Sequence, residues 1–483
     1  MTLQTPVSPR TALPSASDNE IVRLFALQKS ASLDNPPPEY RTRIDCIDRI
    51  IHALEKHEAR IVETVSADFG NRARVETVVS EILVTIAAAR HAKRHLNRWM
   101  RPRKVATPLH MAPGKSRLSP QPLGAIGIIS PWNYPVQLAL SPAIAALAAG
   151  NRILLKPSEL TPGASELLKE IVAEFFDEAI FAVVTGGPEV GQAFAATPFD
   201  HLLFTGSTAV GQKVAEAAAK NLTPVTLELG GKSPAVIDKS ADLEKAARSI
   251  AFGKLFNAGQ TCVAPDYVLA PRTKLDATVD AVAAAARKLY PEIDTTTDYS
   301  SIVSDRHFDR LKALIAEARD SGARIVEIGS SNALHPRRKL PLTLVIEPPR
   351  SAGLMREEIF GPILPMLGYD SEEEAIEFVN ERDRPLALYW FGNDDAARKS
   401  MLERTVSGGV TVNDTMMHVA QENLPFGGVG KSGVGVYHGE AGFETFSHMK
   451  PVFYQSRFAS SGALLPPYSA KTDKLLSIVK KLV

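Results

Sequence analysis

Residues 124–159, GAIGIISPWNYPVQLALSPAIAALAAGNRILLKPSE, decide how the chain is read. Gly124 to Ile129 is a short apolar run without helical spacing, and Pro131 and Pro135 bound the turn after it. An Ala-rich stretch of helix length follows, then a second apolar run from Ile153 to Leu155. Strand, helix and strand in that order make a parallel pair with its crossover. The alternation continues through strands at Phe181 to Val184, Leu202 to Phe204 and Val225 to Leu229. A second series runs from Ala235 through Val268, Leu344, Leu364 and Ala387 to Val412. The expected fold class is therefore α/β, with two doubly wound units whose parallel sheets are covered by helices on both faces. No repeat of fixed period interrupts this pattern.

Upstream, residues 1–20 are rich in Ser, Thr and Pro and are expected to form a mobile arm. From Glu76 to Trp99, Val79, Ile82, Leu83 and Ile86 recur at spacings of three and four, which predicts a long amphipathic helix ending before Pro102. The proline-rich, basic stretch 101–122 suits a connector or an extended arm. After Gly462 the tail is basic and amphipathic, with Leu475, Leu476, Ile478, Val479 and Leu482 among lysines. Packing on the body or on a partner subunit is expected there, and a membrane-surface contact is the alternative.

Composition sets outer limits. The chain has 483 residues, 45% hydrophobic and 23% charged, which is the balance of a folded domain protein. A formal charge of +1 gives no basic excess for a nucleic acid partner. Two cysteines, Cys46 and Cys262, exclude a disulfide framework and point to a reducing compartment. With neither a signal-like start nor a long apolar run, a cytoplasmic protein without a transmembrane segment is expected.

Ligands of open parallel sheets collect beyond the carboxyl ends of the strands, so the residues that follow each strand carry the chemistry. Asn133, held between two prolines, can donate its amide to a developing oxyanion, or simply bond its own turn. Lys156-Pro157-Ser158-Glu159 places a cation and an anion at a strand end, suited to ribose hydroxyls or to a surface ion pair. Gly206-Ser207-Thr208-Ala209-Val210-Gly211 joins a strand to a helix and offers N–H groups to a pyrophosphate, although a close helix–strand contact would also explain both glycines.

Glu228-Leu229-Gly230-Gly231-Lys232-Ser233 fails as a phosphate loop, because the required first glycine falls on Thr226. What remains is a carboxylate at the end of an apolar strand, where desolvation raises its pKa and fits it for general base work; a helix cap or a lysine pair is the alternative. Cys262 sits among small and polar residues after Gly259. A free cysteine is commonly inert filling, but amide dipoles and a bound cation could stabilise a thiolate at this position.

In this order, together with Glu-Glu-Ile-Phe-Gly-Pro at 357–362 and Pro-Phe-Gly-Gly at 425–428, these segments resemble the aldehyde dehydrogenase superfamily over about residues 40–455. Cys262 to Tyr267 and Tyr437-His438-Gly439 look like its class 3 branch. Ala67 to Arg72 and Phe443 to His448 are similar to the bacterial members that act on coniferyl aldehyde. The resemblance implies a Rossmann-like coenzyme-binding domain from 1–98 and 122–227, and a catalytic domain from 228–429. It also implies oligomerisation segments at 99–121 and 430–460, and a tail at 461–483.

By the same resemblance Cys262 is the nucleophile, Asn133 holds the oxyanion with the Cys262 N–H, and Glu228 activates water. Lys156 and Glu159 would meet the adenosine ribose, Gly206, Ser207 and Gly211 the pyrophosphate, and Glu358 and Phe360 the nicotinamide riboside. Tyr134, Phe252 and Phe256 would line the channel for an aromatic or long-chain aldehyde, core packing being the alternative for both phenylalanines. NAD is the expected cofactor because Glu159 repels a 2′-phosphate; NADP is the second candidate, and no metal is required. A homodimer is expected. Two rivals keep the nucleophile: acyl transfer to coenzyme A or phosphate, which leaves Glu228 idle, and a cysteine hydrolase, for which none of the 11 histidines stands in a partner motif.

Overall fold

Wholly buried apolar runs become central parallel strands, and residues 125–129 do so here. The computed structural model describes residues 16–293, 295–329, 338–458 and 465–482. Strand Ala125–Ile129 is buried along its whole length and pairs in parallel with Arg152–Lys156 on one side and His201–Thr205 on the other. Phe181–Val183 and Val225–Glu228 extend this sheet outward, and the short strand Gly433–Val434 closes one edge antiparallel. Helix Gln137–Ala149 is buried on every side, packed on by Tyr40–Phe69 and Val84–Trp99. Chain order along the sheet reverses beside Ala125–Ile129, so a crevice opens between the segments after Ile129 and after Thr205.

The second sheet orders Arg324–Ile328, Leu342–Ile346, Ile363–Tyr369, Tyr267–Pro271, Pro234–Ile237, Ala387–Phe391 and Gly409–Val412. All its pairs are parallel except the edge strand Arg324–Ile328. That strand carries charged and half-buried residues, so it lacks the continuous apolar signal of the others. A third, antiparallel sheet joins Arg103–Val105, Lys115–Pro122 and Ser447–Tyr454. Within 101–122, residues 103–105 and 115–122 are extended strands; Pro120 and Pro122 lie on the middle strand, past the end of its pairing with Arg103–Val105.

Two expectations need correction. Residues 16–20 belong to helix Ala16–Asp34, which packs on the strands Ala125–Ile129 and Arg152–Lys156; residues 1–15 lie outside the described ones. The helical stretch from Arg74 to Trp99 is present, but Val79 and Leu83 are 45% and 52% exposed while Ile82 and Ile86 are buried. Residues Val78–Leu83 form a π-helical segment. Its wider turn rotates the buried face away from the 3.6-residue stripe, and Glu76, Thr77 and Glu81 face inward instead. At the other end, helix Ala470–Leu482 touches the Leu109–Met111 turn and leaves Leu476 and Ile478 exposed.

Candidate active site

Between the two parallel sheets lie the turn after Ile129, the strand end at Glu228 and the loop before Tyr267. Helix Leu243–Leu255 ends at Phe256, and Asn257, Ala258 and Gly259 then adopt φ of 50°, 52° and 73°. Left-handed conformation costs a non-glycine residue about 1–3 kcal/mol, so the surroundings must hold it. Asn257 N donates to Glu76 Oε1 at 3.3 Å, and Gln260 Nε2 donates to the carbonyls of Asn257 and Ser301, each at 3.0 Å. Gln260 Oε1 accepts from Val303 N at 2.9 Å. Gly259 is required by space as well as φ, since a Cβ there would fall 2.6 Å from Gly361 O.

The strained loop presents Cys262, which is partly buried. Burial, with the carboxyls of Glu358 and Glu228 nearby, pushes its thiol up to about 12. The backbone N–H groups of Cys262 and Val263 act in the opposite direction and are outweighed. Amide dipoles alone therefore leave the sulfur protonated at neutral pH, contrary to the thiolate stabilisation expected of them. Alkylation of the free protein by iodoacetamide should accordingly rise about tenfold per pH unit from pH 7 to 9, because only the thiolate reacts. A rate flat over this range would show a pre-ionised thiol; Cys262→Ala measures the background from the buried Cys46.

Asn133 is 3% exposed, and its turn is tied to the cysteine loop from both sides. Its Nδ2 donates to Gln260 O at 3.1 Å, while its own carbonyl accepts from Asn257 Nδ2 and from Arg72 Nη1, each at 3.1 Å. One Nδ2–H serves Gln260, and the amide carries a second. Tyr134, also buried, shares a 2.6 Å hydrogen bond with Thr261 Oγ1, next to Cys262.

Glu228 ends its strand paired with Thr205 on one side and Gly433 on the other, and is 2% exposed. Neither carboxylate oxygen has a hydrogen-bond partner among the described residues. Burial alone raises its pKa well above the ordinary value, so once ionised the group is a stronger base than an exposed carboxylate.

On the side of the first sheet, Lys156 Nζ donates to Glu159 Oε2 at 2.8 Å; the lysine side chain is buried and the glutamate is half-exposed. Burial pushes the Glu159 carboxyl up, but Lys156 outweighs it and the net shift is downward. Ser207 caps helix Thr208–Ala219, and its carbonyl takes the N–H groups of Val210 and Gly211 at 3.1 and 2.9 Å. Gly211 allows the close helix–strand contact, a Cβ there lying 2.6 Å from Leu229. Gly206 N–H bonds to Glu228 O at 3.0 Å, which links this junction to the carboxylate strand.

Glu358 lies over Gly230, where a Cβ would fall 1.9 Å from its Oε2. Burial and Asp266 push it up to about 8, against the Gly231 N–H, Lys232 and Lys254. Phe360, at φ 51°, sets its ring edge-on to Trp132 at 5.3 Å. A cavity of about 510 Å³ opens beside Thr208, Gly230, Gly231 and Glu358. Phe252 and Phe256 pair their rings at 5.4 Å, and Phe252 is 40% exposed, which excludes core packing for it.

Several residues of this network carry no sequence signal that marks them as functional. Arg72, Glu76, Glu81, Asn257 and Gln260 are all buried. Two glutamates inside a helical stretch facing the core are the one clue, since buried carboxylates require partners.

Comparison with known proteins agrees with this geometry. A coniferyl aldehyde dehydrogenase of a Pseudomonas species is 45% identical over 460 residues, covering 93% of this chain and 94% of the relative. The substrate-bound AldH of Staphylococcus aureus superposes with a TM-score of 0.90 at 39% identity, over 95% of this chain and 99% of that one. A Mycobacterium tuberculosis aldehyde dehydrogenase complexed with NAD+ does so at 0.82 and 29% identity, over 95% and 92%. The aldehyde dehydrogenase family model matches residues 13–452, and the chain belongs to that family.

Proposed function

We propose that the chain oxidises an aldehyde to its carboxylic acid with NAD, through a thioester on Cys262. The observation that carries this reading is the buried Glu228 carboxylate, unpartnered and close enough to Cys262 to raise its pKa. A dinucleotide fits the residues present: Ser130 Oγ, at the end of the central strand, and both Glu228 oxygens are buried without protein partners, and Gly230 leaves room for Glu358. Lys156 and Glu159 would hold its adenosine ribose, Gly206, Ser207 and Gly211 its pyrophosphate, and Glu358 and Phe360 the nicotinamide riboside.

In the first step the Cys262 thiol gives up its proton to water, the sulfur forms a bond to the aldehyde carbon, and the carbonyl π electrons move to oxygen. Asn133 Nδ2–H and the Cys262 N–H hold that oxyanion in place. When bound, NAD supplies the acceptor for the two electrons and hydrogen lost as the thiohemiacetal becomes a thioester. Glu228 then takes a proton from water as its oxygen adds to the thioester carbon, and the C–S bond breaks to release the acid and the thiolate. Coenzyme A acylation would give this carboxylate no task; acid formed without coenzyme A is the expected product.

We assign an aromatic aldehyde of the coniferyl type as substrate, with long-chain aldehydes as second choice. The name of the Pseudomonas relative and the partly exposed ring pair Phe252–Phe256 support that class. Following NADH formation with cinnamyl, long-chain and charged aldehydes should give the highest kcat/KM with the cinnamyl class, and a lower value when NADP replaces NAD. Preference for small charged semialdehydes would overturn the substrate assignment, and a higher efficiency with NADP would overturn the coenzyme assignment. The partition into coenzyme-binding, catalytic and oligomerisation segments, and a homodimer built on the sheet of 103–105, 115–122 and 447–454, belong to the same proposal. No helix among the described residues is long and apolar enough to cross a membrane, and a cytoplasmic location is proposed with it.

A further inference from the structure

The Asn133 turn is gripped at both ends by one buried ion pair that the chemistry above does not use. Arg72 and Glu81 have fully buried side chains, joined by a 2.9 Å bond from Arg72 Nη1 to Glu81 Oε1. The same Nη1 donates to Asn133 O at 3.1 Å, and Nη2 donates to Ser80 Oγ at 3.0 Å. The guanidinium lies over the rings of Tyr134 at 4.8 Å and Phe69 at 5.2 Å. Glu81 Oε2 accepts from Val136 N at 3.0 Å and Gln137 N at 2.8 Å, the first free N–H groups of the helix that follows the turn.

One charge therefore holds the residue that bears the amide, and the other holds the backbone three and four residues later. The π-helical segment Val78–Leu83 is what turns Glu81 inward to do so. From the same helical stretch Glu76 reaches the cysteine loop, accepting from Asn257 N at 3.3 Å and Ser300 Oγ at 2.6 Å. Donor turn and nucleophile loop are thus referenced to a single helix. An apolar pair of similar volume stabilises a core about as well as a buried ion pair does, so stability alone does not account for these charges. Directional bonds to both ends of a turn do.

We propose that Arg72 and Glu81 are positioning residues that set the Asn133 amide against the oxygen of the Cys262 adduct. This inference rests on the aldehyde oxidation proposed above. A misplacement of about 1 Å costs roughly 100-fold in rate, so Arg72→Lys, which loses the forked geometry, should slow the first turnover of NADH formation by about 10- to 100-fold. The dissociation constant for NAD and the melting temperature should stay close to those of the unaltered chain.

A double-mutant cycle gives the readout that a merely structural role would not move. In an Asn133→Ala background, Arg72→Lys should cost less than about twofold more, because the group it positions is gone. Arg72→Met/Glu81→Met, which removes both charges, should fold and show the same slow first turnover. Losses that multiply fully in the cycle would overturn the proposal, as would a first turnover of normal rate in the double methionine variant. Failure of both variants to fold would assign the pair to stability and overturn it too. The reading of aldehyde oxidation itself fails on a different result, the absence of aldehyde-dependent NADH formation by the unaltered chain.

Discussion

Cys262→Ala should lower aldehyde oxidation by on the order of 10⁵-fold or more, while the protein folds and binds NAD as before. The sulfur is the sole atom at this point of the loop able to form a covalent bond to the aldehyde carbon, and the carboxyls around it cannot replace it. Glu228 and Glu358 are carboxyls whose pKa burial raises, and neither is a thiol that can carry the substrate as a thioester. Removing one thiol leaves a cavity smaller than a methylene or two, and Cys262 is only partly buried, so the stability change should stay within about 1 kcal/mol. NADH formation under steady state and NAD titration by fluorescence check both halves. Oxidation at undiminished speed in Cys262→Ala would remove the thioester from the mechanism.

Glu228→Gln should separate the two halves of the reaction. The amide keeps the shape of the carboxylate but cannot accept the water proton, so thioester formation proceeds and hydrolysis stops. Rapid mixing with NAD and aldehyde should show about one equivalent of NADH per active site followed by turnover slowed by about 10²- to 10⁴-fold. The buried position favours this substitution, because the carboxylate lacks hydrogen-bond partners and a neutral amide needs less solvation there than an anion. Equal loss of burst and turnover would place Glu228 before the thioester. Since burial raises its pKa, the deacylation rate of the unaltered protein should climb with pH as the carboxyl ionises, and that rise should vanish in Glu228→Gln.

The parallel strands were legible because each is a run of apolar residues buried on both faces, as at Ala125–Ile129 and Leu342–Ile346. Asn133 and Glu228 stand out because each follows or ends such a run, where an α/β sheet opens to ligands, and Cys262 because it is a lone thiol among small and polar residues after Gly259. Edge strands escaped notice: Arg324–Ile328 and Gly433–Val434 are partly exposed or too short to show a period. The helical face around Val79 and Leu83 departs from its sequence pattern because a 3.6-residue stripe does not hold where the backbone widens its turn.

Local order along the chain determined the class of fold and which side chains could do chemistry, since hydrophobic periodicity and motif spacing act over a few neighbouring residues. Tertiary structure decided what those side chains are poised to do. Arg72 and Glu81 meet Asn133, Val136 and Gln137 across more than 50 positions of chain. The Cys262 thiol owes its raised pKa first to burial and then to Glu358 and Glu228, each brought to it by a different strand end or loop. Burial and charge act through space, and the dielectric around a group depends on segments far from it in sequence, so these properties come into being only when the sheets close around the site.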